Sequence, residues 1–218
     1  MKITNHDRLR NALALYFIMG SLNTKRRPSE VLTEAIRGGV TCFQFREKGR
    51  GSLVGEEKYT LAEELQFICQ KAEVPFIVND DIDLALAINA DGVHIGQEDE
   101  PVNLVREKIG SKILGVSVHN STEANSGLRM GADYFGVGPI YPTQSKDDAN
   151  QVQGVKIIQE LRSKGFTIPI VGIGGITANN GGDVIKAGAD GISVISAISL
   201  DANPEAAAAN LKVSITNY

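Results

Sequence analysis

In the stretch QFREKGRG, Gln44, Arg46 and Lys48 alternate with Phe45 and Glu47, directly after the apolar run GVTCF. Residues two apart in an extended segment point the same way. An amide, a guanidinium and an ammonium therefore converge on one spot. Arg offers a planar fork of donors and Lys a compact point charge, and both suit phosphate oxygens. Gln44 carries two donors and an acceptor, which can read a flat heterocycle. Further along, VNDD sets Asn79, Asp80 and Asp81 after another apolar run, GQED supplies Glu98 and Asp99, and SVHN supplies Ser117, His119 and Asn120. Two carboxylates, Asp80 and Asp99, are what Mg²⁺ usually takes from a protein, leaving its other positions to substrate oxygens and water. A pyrophosphate with its metal fits that set. Lys146, in GPIYPTQSKDDANQ, is placed to close over it.

A second anion station is expected at GIGG (172–175) and at Ile195-Ser196, where backbone N–H groups stand ahead of helices. One pyrophosphate site and one phosphate site imply two phosphorylated small-molecule ligands. Each residue alone has a plainer use. Asp80 can cap the helix near Ile82, Asp99 can cap the one after Pro101, and GIGG can be a tight turn. His94 lies inside a strand and reads as a satisfied core histidine, while His119 at a strand end is balanced between the two uses. Their joint occurrence favours a site.

Those residues need a scaffold. Eight strand-like runs, ALYFIM (14–19), TCFQF (41–45), PFIVN (75–79), GVHI (92–95), ILGVSV (113–118), YFGV (134–137), IPIVGI (168–173) and GISVI (191–195), alternate with eight segments of helical period. The latter span 29–38, 55–73, 82–89, 101–109, 121–130, 154–164, 179–187 and 204–213. Alternation of this kind means parallel strands with crossover helices. NADGVHIG, GADYFGVG and GADGISVI share one grammar, a helix end, a left-handed cap and a short strand. The expected architecture is a (β/α)₈ barrel in one α/β domain, 1–218, with a short helical extension over about 1–12. Every polar motif above then falls at a C-terminal strand end, the catalytic rim of such barrels. Gly181-Gly182 should weaken the start of the helix over 179–187. The run from Gly138 to Gln153 has no clear period and is expected to act as a lid carrying Lys146.

Composition narrows the partners. The formal net charge of -4 argues against a general nucleic-acid binder, and TKRR (24–27) reads as a solvated loop. No apolar run approaches the roughly 20 residues of a membrane span. Cys42 and Cys69 have no metal or redox spacing and are expected as buried free thiols in a reducing cytoplasm. The N-terminal LALYFIM reads as a buried strand rather than a leader. A homo-oligomer is left open.

In order, the set QFREK, VNDD, HIGQED, GVSVHN, GVGPIYPTQSK, IVGIGGI and GISVISAI resembles thiamin phosphate synthase, over about residues 16–198. The resemblance implies a (β/α)₈ enzyme that joins hydroxymethylpyrimidine pyrophosphate to a thiazole phosphate or its carboxylated form. It implies that Gln44, Phe45, Arg46, Glu47, Lys48, Asn79, Ser117 and Lys146 take the pyrimidine pyrophosphate. Arg46, Lys48, Ser117 and Lys146 would carry the catalysis. Asp80 and Asp99 would hold Mg²⁺, and Thr143, Gln144, Ser145, Gly175, Ile195 and Ser196 the thiazole phosphate. A thiazole tautomerase on a related barrel would need the phosphate anchor and a base such as His119. It has no use for the pyrophosphate and metal set, so that set discriminates against it. A non-catalytic sensor of phosphorylated ligands is the other alternative, because fold does not fix function.

Overall fold

The computed structural model describes residues 6–143 and 152–216. Eight short strands, β1 (Leu15–Met19), β2 (Cys42–Phe45), β3 (Phe76–Asn79), β4 (Gly92–Ile95), β5 (Ile113–Val118), β6 (Tyr134–Val137), β7 (Ile170–Ile173) and β8 (Gly191–Val194), pair in sequence order as a closed parallel barrel. The helices are α1 (His6–Ala12), α2 (Pro28–Arg37), α3 (Gly55–Lys71), α4 (Ile82–Ala87), α5 (Val102–Ile109), α6 (Ser121–Arg129), α7 (Lys156–Ser163), α8 (Gly181–Lys186), α9 (Ser196–Ser199) and α10 (Pro204–Thr216). The strand and helix periods read from the sequence are borne out to within a few residues at each end. The four-residue α9 is an addition, inserted between β8 and α10. No helix of the described residues is long and apolar enough to cross a membrane.

Alternation along each strand divides the core in two. Phe17, Phe43, Phe45, Phe76, Val93, Val116 and Phe135 point outward into the layer shared with the helices. Tyr16, Cys42, Ile77, Ile113, Tyr134 and Val171 point inward, and Leu9 and Leu13 join them from the N-terminal segment. The N-terminal segment thus plugs the end opposite the polar rim. Inward space is tight. A Cβ on Gly115 would sit 2.1 Å from the Tyr134 ring and 2.4 Å from His94 Nδ1. Only glycine at 115 lets those two large inward side chains, each in register with it, meet across the barrel.

The shared grammar of the αβ turns has a further use. Asp91, Asp133 and Asp190 each accept a hydrogen bond from a strand-start N–H, of Phe76, Leu114 and Ile170, at 2.8–2.9 Å. Thr41 Oγ1 does the same for Leu15. Arg106 and Arg162 then bind Asp133 and Asp190 and take up nearby loop carbonyls. The end away from the polar rim is a hydrogen-bonded girdle, which leaves the opposite rim free for chemistry.

α8 starts at Gly181, two residues later than the expected 179, with both glycines in its first turn. A Cβ on Gly181 would lie 3.0 Å from Ser214 Oγ and 3.5 Å from Ile215. The missing side chain lets α10 lie close on α8, and that packing offsets the weak helix propensity of glycine.

Candidate active site

The polar rim gathers at the C-terminal strand ends. Gln44, the third residue of β2, faces inward and is 1% exposed. Its Nε2 donates to Tyr16 Oη at 2.8 Å. Arg46 follows in the same direction, is buried, and extends the ladder through its N–H to Met19 O. Phe45 and Glu47 point elsewhere. Phe45 stacks on Phe76 in the outer core, with ring centroids 6.2 Å apart. Glu47 is a loop brace: it accepts from Ser21 N–H at 2.7 Å, from Ser21 Oγ at 2.6 Å and from Leu53 N–H at 2.8 Å. Any contact of these two with a ligand would come through the backbone.

Lys48 reaches across to both carboxylates. Its Nζ lies 2.5 Å from Asp80 Oδ2 and 3.8 Å from Asp99 Oδ1. The helix-cap readings for both acids fail. Asp81, not Asp80, caps α4 by accepting from Leu84 N–H at 2.9 Å. Asp80 instead adopts φ 61, which turns its side chain away from that duty. Pro101 precedes α5 without any side-chain cap, and Asp99 accepts from Gly96 N–H at 2.7 Å. Burial pushes the Asp80 carboxyl up, and Asp99 beside it adds to the rise against the pull of Lys48. Burial acts on Asp99 too, but hydrogen bonds from Asp80 and the Gly96 N–H hold it below the ordinary range. Crowding of the two carboxylates is what a divalent cation between them would relieve. The donor set fits Mg²⁺ in type and number. Among the described residues no cluster of three or more acidic, His or Cys ligands occurs, so water and substrate oxygens would complete the shell.

A cavity of about 950 Å³ opens at this rim. Lys48, Asp99 and Ser117 line one part, and Thr143, Gly175, Ile195 and Ser196 line another. Gln44, Arg46, Asn79 and Asp80 are not part of its wall. Gly174 and Gly175 adopt φ 98 and φ 63. The chain after the sixth strand folds onto them, through Ile140 N–H to Ile173 O at 2.8 Å and Tyr141 N–H to Gly174 O at 3.0 Å. Ile195 precedes α9 and Ser196 is its first residue. Gln144, Ser145 and Lys146 lie outside the described residues, as does half of the expected lid.

His94 and His119 both have partners. His119 Nδ1 lies 2.9 Å from Glu123 Oε2, which also accepts from the His119 N–H. His94, as expected for a core histidine, bonds Tyr134 Oη at 3.0 Å through Nδ1 and Ser117 Oγ at 2.9 Å through Nε2. Tyr16, Tyr134 and Ser193 were not singled out by residue type, yet all three face the barrel interior beneath the cavity. The two-residue period that aims Gln44 inward also aims Tyr16 and Tyr134, which is the signal that identifies them.

The fold is a closed (β/α)₈ barrel with a cavity at the C-terminal strand ends. The family model for thiamine monophosphate synthase matches residues 15–198. A curated relative from Geobacillus thermodenitrificans, a thiamine-phosphate synthase, is 60% identical over 98% of this chain and 96% of its own. One from Bacillus velezensis with the same name is 55% identical over 94% and 91%. The solved thiamine phosphate pyrophosphorylase from Pyrococcus furiosus superposes with a TM-score of 0.85 at 35% identity, covering 95% of this chain and 97% of that one. The chain belongs to the thiamine monophosphate synthase family and is a transferase of thiamine biosynthesis.

Proposed function

We propose that the chain joins 4-amino-2-methyl-5-hydroxymethylpyrimidine pyrophosphate to 4-methyl-5-(2-phosphoethyl)thiazole or its carboxylated form, giving thiamin phosphate and pyrophosphate with the help of Mg²⁺. The observation that carries this reading is the Asp80–Asp99 pair beside Lys48, on the same rim as the Gly175 and Ser196 backbone. The buried thiols Cys42 and Cys69, both pushed up by burial, support a reducing, cytoplasmic setting.

The pyrimidine CH₂–O bond can ionise, because the ring amino group stabilises the methylene cation. Arg46, Lys48 and Lys146 would hold the pyrophosphate as the C–O electron pair leaves with it. Asp80 and Asp99 would hold the metal, which supplies charge neutralisation at the departing oxygens. Gly175, Ile195 and Ser196, with Thr143, Gln144 and Ser145, would anchor the thiazole phosphate so that its ring nitrogen forms the new C–N bond. Anchoring both partners converts their encounter into a near-unimolecular step. No side-chain nucleophile is needed. Ser117 and Gln44 would orient the pyrimidine ring.

The test is stoichiometry. With both substrates and Mg²⁺, pyrophosphate and thiamin phosphate should appear one to one. Omission of the thiazole phosphate or chelation of the metal should suppress both. Pyrophosphate released at full rate without the thiazole phosphate would overturn the reading in favour of a hydrolase.

A further inference from the structure

A continuous hydrogen-bond chain crosses the barrel floor and joins two of the residues assigned to the pyrimidine ring. Gln44 Nε2 donates to Tyr16 Oη at 2.8 Å, and the Tyr16 and Tyr134 hydroxyls lie 2.8 Å apart. Tyr134 Oη is 3.0 Å from His94 Nδ1, and His94 Nε2 is 2.9 Å from Ser117 Oγ. Both tyrosines are fully buried and held neutral, their acidity suppressed first by burial. Each hydroxyl in such a chain has one proton, so the chain must run in a single direction.

We infer that Tyr16, Tyr134 and His94 are positioning residues that set which floor atoms donate and which accept, and so select an aminopyrimidine over an oxopyrimidine. The reasoning begins at Gln44. Its Nε2 is committed to Tyr16, so the proton of Tyr16 passes to Tyr134 and the proton of Tyr134 to His94 Nδ1. That leaves His94 as the Nε2–H tautomer, which donates to Ser117 Oγ. Ser117 accepts, and its own proton is then left for a ligand. Gln44 keeps its acceptor Oε1, beside a second Nε2–H, and it is Oε1 that this direction of the chain leaves for a ligand. An acceptor beside a donor complements an amino group next to a ring nitrogen. The opposite direction would present an amide N–H and a hydroxyl lone pair, which suit a ring carbonyl next to N–H.

The floor ends in a small void that a single polar group of a ligand would fill. A void of about 20 Å³ is bounded by Gln44, Ser117, Tyr16, Tyr134, His94 and Ser193. Ser117 and Ser193 also line the large cavity above it. Ser193 Oγ is buried and has no hydrogen-bond partner among the described residues. An orphaned hydroxyl at this point is costly unless a ligand or water meets it.

The inference rests on the assignment of the pyrimidine ring to Gln44 and Ser117, and the experiment separates the two. The 4-amino and 4-oxo forms of 2-methyl-5-hydroxymethylpyrimidine would be compared as competitive inhibitors against the pyrimidine pyrophosphate. Neither needs to ionise, so the readout is recognition alone. The wild-type protein should favour the amino form roughly ten- to hundredfold. Tyr134→Phe keeps the ring volume but cuts the chain, so it should bring the ratio near one. It should also raise the KM of the pyrimidine substrate while leaving that of the thiazole phosphate unchanged. Tyr16→Phe should do the same, and gives a second cut if Tyr134→Phe folds poorly by circular dichroism. A wild-type preference for the oxo form would overturn the direction of the chain. An unchanged ratio in folded Tyr134→Phe and Tyr16→Phe proteins would overturn the positioning role. If Ser117→Ala and Gln44→Ala also leave the pyrimidine KM unchanged, the ring assignment itself fails.

Discussion

Lys48 Nζ lies 2.5 Å from Asp80 Oδ2 and 3.8 Å from Asp99 Oδ1, so a cation of the chain itself stands beside both acids. The Lys48 side chain is 46% exposed, and under the proposed function it would turn toward the leaving pyrophosphate when a dication binds the acids. The carboxyl of Asp80 is pushed up by burial and by Asp99, so the folded state penalises its charged form. The sign follows from linkage. A carboxyl raised on folding lowers stability as pH climbs past the ordinary carboxylate range, and the penalty lifts in acid. Asp80→Asn should therefore raise the thermal midpoint at neutral pH in a chelator and lose that advantage at acid pH. Mg²⁺ should raise the midpoint of the wild-type protein and not that of the variant. A drop in the variant's midpoint at neutral pH would show that the Lys48 pair outweighs burial.

Asp99→Ala should cost turnover by two or more orders of magnitude, the scale of losing one preorganised electrostatic group. It also frees the Gly96 N–H, so a modest fall in stability of about 1 kcal/mol is expected. The check is a magnesium titration of turnover beside thermal melting. Unaltered metal dependence would reduce Asp99 to a turn brace.

Gly175→Ala should raise the KM of the thiazole phosphate well above that of the pyrimidine pyrophosphate. At φ 63 an added Cβ would lie 2.5 Å from Pro142 O and 2.8 Å from Tyr141 Cβ. The loop after the sixth strand must then lift off Gly175, the proposed anchor of the thiazole phosphate. Steady-state kinetics with each substrate varied in turn decides the matter. A larger effect on the pyrimidine side would mean that the two anion stations are exchanged.

Residue order carries the barrel because each unit is locally self-consistent. Apolar runs such as ILGVSV and YFGV can only be short strands covered on both faces, and the Gly and Asn caps before them mark where helices must stop. It also carries the rim, since a strand end is where an apolar run meets polar residues. Neighbouring side chains of one type are harder to tell apart. Asp80 and Asp81 are the same residue, and only the φ of 61 at Asp80 decides which caps the helix and which faces Lys48. Side-chain chains that cross the barrel are illegible for another reason. Tyr16 and Tyr134 are 118 residues apart, and nothing local records that their hydroxyls meet. Glu47 reads as a member of a charged motif, whereas tertiary contact with Ser21 makes it a brace.

That brace yields the last prediction. Glu47 ties the chain after the second strand to Ser21 on one side and to Leu53 on the other. Arg46 and Lys48 flank it, so their backbone positions depend on its three hydrogen bonds. A Cβ on Gly20 would sit 2.1 Å from Arg46 O, which shows how closely the two loops are pressed together. Glu47→Ala would leave the Ser21 and Leu53 N–H groups without their acceptor, a loss of roughly 1–3 kcal/mol in stability. Misplacing the two cations proposed to bind the pyrophosphate should raise the KM of the pyrimidine pyrophosphate. The KM of the thiazole phosphate should stay near the wild-type value, because Gly175 and Ser196 are held by other strands. Glu47→Gln keeps one acceptor oxygen and should recover part of both losses. A direct ligand contact through the carboxylate would look different: Glu47→Gln would then match Glu47→Ala in KM, with neither variant changed in melting temperature. Thermal melting and two-substrate kinetics on the same preparations separate the two outcomes.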